Sequence, residues 1–175
     1  EHTYVNRECK CGAVAPLSED LDYTLSEDGK SYIVTGLGSC TDKYIVIPST
    51  YRGLPVTAIG DEAFVEYTDL NGVFIPDSVT SIGARAFKKC ENLQNVVIGK
   101  NVKVIGFAAF EECTLPGRVD ITDMESWCRI EFAYGNVDSN PLYNKLYLYL
   151  NNTRVTEVVI PDGITSINDA LFAGC

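Results

Sequence analysis

The sequence predicts a right-handed α/β solenoid of about five 23-residue coils stacked through parallel strands, and three observations predict it. Ile59, Ile82 and Ile105 are spaced by 23 residues, and so are Gly60, Gly83 and Gly106, Ala63, Ala86 and Ala109, and Phe64, Phe87 and Phe110. A further copy, holding Ile167, Asn168, Leu171, Phe172 and Cys175, follows 62 residues beyond its counterparts, which leaves one coil enlarged by 16. Apolar runs such as Leu93, Val96, Ile98 alternate so that Val96 and Ile98 turn into the coil and Val97 turns out, the period-2 rule of a pleated strand.

A period in the twenties with this run is the signature of leucine-rich repeats, whose coils bury their apolar faces only against neighbours. Residues 1–20 form a Cys-containing N-terminal tail. Residues 21–42 form a hairpin cap, because YTLSEDGKSYIVTG alternates about an Asp28-Gly29 turn and would cover the first coil's open end. The solenoid then runs over 43–175. Pro48, Pro76 and Pro161 follow its strands, where a missing N–H helps end a ladder. The repeated glycine marks either a backbone turn with positive φ or a tight approach between coils, and Asn168 takes its place in the last copy. Phe64, Phe87, Phe110 and Phe172 form an internal spine beside an Ala-Phe helical turn. Cys90, Cys113 and Cys175 share one column, with Tyr67 in the first coil. Its spacing suits buried free thiols and is also within disulfide reach.

The enlarged coil, 122–152, opens on TDMESWCRI, a short helix with Thr122 or Asp123 as N-cap, and closes with a SNPLY turn and a hairpin through Asn151-Asn152. Trp127, Phe132, Tyr134, Tyr143, Tyr147 and Tyr149 gather here, either as an interface or as the coil's own core. After Cys175 an apolar end face is expected where a further strand would pack.

The frames IPDSVTSIGARAFKKCENLQNVVIG and IPSTYRGLPVTAIGDEAF and the WCRIEF, SNPLY and LYLNNTRVTEVVIPDGITSI series resemble the BspA-like leucine-rich repeat family of bacterial cell-surface proteins from about Leu21 onward. Gly99, Asn168 and Tyr67 depart from the frame's proline, glycine and cysteine. The resemblance implies a secreted or cell-surface protein of host-associated bacteria whose repeats bind other proteins or mediate adhesion, with host extracellular-matrix or plasma proteins as expected partners. Structural spacer repeats that support a catalytic or carbohydrate-binding domain elsewhere in a longer protein are the alternative.

Chemistry is sparse. A formal charge of −10 opposes nucleic acid or anionic lipid as the partner, and no run of eighteen apolar residues offers a membrane span. The single histidine, His2, lies in the polar tail, which removes most triads. Glu111 with Glu112, or Glu66 with Asp69, offers carboxylate pairs, but beside the Ala-Phe turn solvated charge is the ordinary reading. Gly36 and Gly38 lack the third glycine and the helix of a phosphate loop. His2, Cys9 and Cys11 supply at most three ligands, and C-x-C does not wrap zinc as C-x-x-C does, so no metal and no cofactor is assigned. Seven cysteines do not suggest a fully paired framework. Asn151-Asn152-Thr153 is an acceptor sequon that says little alone.

Binding is therefore expected on the concave strand face. Its outward column reads Val46, Phe74, Val97, Asp120 and Val159, with Tyr44, Gly72, Asn95, Arg118 and Glu157 alongside. Four of the first five are apolar and expected to be exposed, as a contact strip would be. Stacked β-branched residues are also what any parallel sheet favours.

Overall fold

In the computed structural model, residues 4–5, 8–9, 15–113, 116–144, 146–169 and 171–172 are described. Two ladders of parallel strands, one per side of the coil, make the solenoid. The first joins β5 (Tyr44–Val46), β8 (Gly72–Ile75), β10 (Asn95–Ile98), β12 (Gly117–Ile121) and β14 (Leu146–Leu150), and closes with β15 (Thr153–Arg154), which runs antiparallel to β14. The second joins β3 (Asp22–Leu25), β4 (Tyr32–Gly36), β7 (Leu54–Ile59), β9 (Ser81–Ile82), β11 (Val104–Ile105) and β13 (Glu131–Phe132), with β6 (Thr50–Tyr51) folded back on β7. A short antiparallel pair, β1 (Tyr4–Val5) and β2 (Glu8–Cys9), precedes them. His2, Cys11 and the Cys9 side chain lie outside the described residues, as does Cys175.

Within the first ladder Asn95 pairs with Gly72 and Arg118 pairs with Asn95, each a step of 23 residues, so equivalent positions of successive coils sit side by side. The inward residues Ile45, Val73, Val96, Val119 and Leu148 are all buried. Behind them Phe87 lies parallel to Phe64 and Phe110, with centroids 5.3 and 5.2 Å apart, the offset given by the coil rise. The thiols of Cys90 and Cys113 are free and donate to the carbonyls of Phe64 and Phe87 at 3.1 and 3.2 Å. Burial pushes Cys90 up to about 12 and raises Cys113 as well. At the N-terminal end β3 and β4 pair antiparallel, with Asp28 accepting bonds from Ser26 and the Lys30 N–H in the turn.

The Ala-Phe turns are not helical. Glu62, Arg85 and Ala108, and again Glu66, Lys89 and Glu112, carry φ of 53–60°. Alternate N–H groups then point along the solenoid. Those of Glu62, Phe64 and Glu66 donate to Ala84, Ala86 and Lys88, and those of Arg85, Phe87 and Lys89 donate to Phe107, Ala109 and Glu111, at 2.8–2.9 Å. Regular α-helix among the described residues is confined to α1 (Met124–Cys128), capped by Asp123, which accepts from the Ser126 N–H at 2.8 Å.

The glycine column serves close approach rather than a left-handed turn. A Cβ on Gly83 would meet Asp61 N and Gly60 C at 2.4 Å, and one on Gly106 would meet Ala84 N at 2.5 Å.

Candidate functional site

Register defines the outward face. One row holds Tyr44, Gly72, Asn95, Arg118 and Tyr147, and the next holds Val46, Phe74, Val97, Asp120 and Tyr149. Arg154 lies opposite Tyr149 on β15 and extends the second row. A Cβ on Gly72 would lie 2.8 Å from Cδ1 of Tyr44, so that ring reaches across the glycine's place in its row.

The sequence-based column is redrawn in three places. Val46 is 2% exposed, because the segment before β3 runs along β5: the Ser18 N–H donates to the Val46 carbonyl, and the Val46 N–H donates to the Ser18 hydroxyl. Asp120 is 3% exposed under the Arg118 fork. Val159 and Glu157 are exposed but belong to no strand. The enlarged coil itself supplies the next rung, for Arg118 pairs with Tyr147 at a step of 29 residues, and β15 then covers part of that edge. Phe74, Val97, Tyr44, Asn95 and Arg118 keep their expected places, all partly exposed. Tyr147, Tyr149 and Arg154 were missed as members of the ladder. The run LYLYL from Leu146 to Leu150 carries the period-2 signal that could have found the tyrosines.

Two cation–ring stacks organise the C-terminal end of the face. Arg118 grips Asp120 with Nε at 2.5 Å from Oδ2 and Nη2 on Oδ1, donates from Nη2 to Asn152 Oδ1 at 2.9 Å, and lies 3.8 Å above the Tyr149 ring. This pair is nearly buried and its hydrogen bonds are met within the face, so it sets geometry more than it invites a ligand. Arg154 lies 3.9 Å above Tyr147, which is half exposed, and has no carboxylate partner among the described residues. Toward the C-terminal strand ends, a shallow cavity of about 130 Å³ opens between Phe74, Val97 and Asp120 and the loop residues Asp77, Gly99 and Thr122.

The aromatic residues of the enlarged coil divide. Trp127 and Phe132 are buried edge to face at 6.1 Å, whereas Tyr134, Tyr143 and Tyr147 are exposed. Of the carboxylates considered for acid/base work, Glu66 and Glu111 bridge coils instead, meeting Lys89 at 2.9 Å and Lys88 at 2.6 Å, and Glu62 bridges in the same way to Arg85 at 2.8 Å. Among the described residues no three His, Cys, Asp or Glu side chains gather to hold a metal ion, and no helix is long and apolar enough to cross a membrane.

Solved structures share this architecture. A T. pallidum leucine-rich repeat protein is 29% identical at a TM-score of 0.54, covering 62% of this chain and 49% of its own. A Bacteroides capillosus leucine-rich repeat protein is 27% identical at a TM-score of 0.58, covering 75% of this chain and 94% of its own. A leucine-rich cell surface protein of Faecalibacterium prausnitzii is 28% identical at a TM-score of 0.51, covering 77% of this chain and 42% of its own. The chain thus spans about half the length of the T. pallidum protein. No curated protein matches it. Six copies of the BspA-type leucine-rich repeat region match residues 38–139 and 143–175. With the repeat columns, the parallel ladders and this match in agreement, the chain belongs to the BspA-type leucine-rich repeat family.

Proposed function

We propose that this chain is a non-catalytic protein-interaction or adhesion module of a secreted or cell-surface bacterial protein, and that the outward strand face is its contact surface. The observation that carries the reading is the in-register row Phe74, Val97, Asp120, Tyr149, Arg154, which places apolar, aromatic and cationic side chains along one line of rigid strands. Aromatic residues and arginine are the side chains that anchor protein interfaces. The F. prausnitzii structure, described as a cell surface protein, supports display outside the cell. Host extracellular-matrix and plasma proteins are the partners to test.

The test is a binding screen of the folded chain against immobilised matrix and plasma proteins, with F74D/V97D as the comparison. Saturable binding that the double variant loses while keeping its circular dichroism spectrum is expected. Absence of binding by the well-folded chain would overturn the reading in favour of spacer repeats, to which the ion pairs between coils also lend themselves.

A further inference from the structure

Resting on the interaction reading above, we infer that the strand face takes an extended protein segment in which an apolar residue and a carboxylate side chain stand about four to six residues apart. The segment crosses the strands from Phe74 toward Arg154, whose backbone lies in the Phe74 row and whose fork lies over Tyr147 of the neighbouring row. Phe74 and Val97 are half-buried neighbours at the mouth of the shallow cavity and provide the apolar anchor. Asp77 at the rim already accepts the Lys100 N–H at 3.0 Å, and Asp120 is held by Arg118, so neither calls for a cation from a partner. Arg154 is the opposite case. Its guanidinium is exposed, spread over the Tyr147 ring and without a carboxylate partner among the described residues, so the complementary group is a carboxylate that meets the fork edge-on.

The spacing follows from the ladder. From Val97 to Arg154 the row steps from β10 through β12 and β14 to β15, and three strand separations make about 14 Å. From Phe74 it is four separations, about 19 Å. An extended chain rises about 3.3 Å per residue, which converts these spans into about four and about six residues. A chain crossing strands at right angles cannot extend their hydrogen-bond ladder, so affinity rests on the two side-chain anchors. The formal charge of −10 repels acid-rich segments, so the fitting segment carries one carboxylate among neutral or basic residues.

Selection of displayed random dodecapeptides on the folded chain, with parallel selections on R154Q and on F74D/V97D, tests this. Enriched peptides should pair an aliphatic or aromatic residue with Asp or Glu at the stated spacing. Changing that Glu to Gln in a synthetic copy should weaken binding about fivefold to the wild-type chain and not to R154Q. Peptides that need Phe74 and Val97 but carry no acidic residue, or whose Glu→Gln copies bind equally, would overturn the inference and leave the interaction reading intact. Lack of enrichment, or enrichment that neither variant changes, would overturn both.

Discussion

Replacing Gly83 with Ala separates the two physical reasons a solenoid can have for a repeated glycine. A Cβ at Gly83 would fall 2.4 Å from Asp61 N and from Gly60 C, and 2.6 Å from Gly60 O. All three atoms are backbone of the preceding coil, so no side chain can rotate away and the coil step itself must open. Across that step run Gly83 N–H to Ile59 C=O at 2.8 Å, Ala84 N–H to Asp61 Oδ1 at 2.7 Å and Glu62 N–H to Ala84 C=O at 2.9 Å. Overpacking and the weakening of one or two of these bonds together cost about 2–5 kcal/mol. For a chain of this size the melting temperature should fall by about 5–15 °C. Gly29 is the control, since its φ is 70° and nothing lies within 4 Å of its added Cβ, so G29A should cost only the left-handed penalty of about 1–2 kcal/mol. Thermal melts followed by circular dichroism measure both variants. If G83A melts at or above G29A, close approach between coils is not what the column enforces.

Two further perturbations address the spine and the thiol column. Phe87→Ala removes a fully buried ring sandwiched between two others and should cost about 3–5 kcal/mol in urea unfolding, while a loss below about 1 kcal/mol would mean that the stack is not under packing load. The raised thiols make stability pH-dependent with a definite sign. A cysteine that ionises near 9 when unfolded and near 12 at Cys90 when folded contributes fully below pH 9 and progressively less as pH rises toward 12, at about 1.4 kcal/mol per pH unit. Because tyrosines such as Tyr23 titrate in the same window, wild type is compared with C90A/C113A. The urea midpoints of the two should converge between pH 8 and pH 11, and parallel curves would exclude the thiols as the cause.

The columns at Phe64, Phe87 and Phe110 and at Cys90 and Cys113 could be read from sequence because identical side chains recur at equal steps, and equal steps in a solenoid mean adjacency. The backbone between them could not. Glu62, Arg85 and Ala108 carry left-handed φ although none is a glycine, and what holds them there is a non-local partner, the next coil's carbonyl for Glu62 and Arg85 and the Ser139 hydroxyl for Ala108. Composition favours a helix at these Ala-Phe turns, but the turn's hydrogen bonds run between coils. On the face, Phe74 and Val97 were found because their steps follow the period. Val159 was misplaced because the enlargement was assigned to one long coil, whereas β14 divides it and puts Tyr149 on the ladder.

That division places the face's unusual chemistry where the period breaks. A regular coil presents what its strand propensity favours, and Val97 beside Phe74 is close to that minimum. Between β12 and β14 the chain adds α1 and three 3₁₀ turns, yet the five residues from Gly117 to Ile121 still pair one to one with Leu146 to Leu150. The extra length is absorbed away from the strands. Trp127 and Phe132 fill the bulge, and the Phe110 N–H and Ala108 N–H donate to Asp138 and Ser139 of the added segment in place of a regular turn. Because the ladder is undisturbed, the inserted strand can bring tyrosines and, through its hairpin, Arg154 into line with residues of ordinary coils. An insertion held in register in this way adds binding groups to a repeat surface without costing the stack its hydrogen bonds.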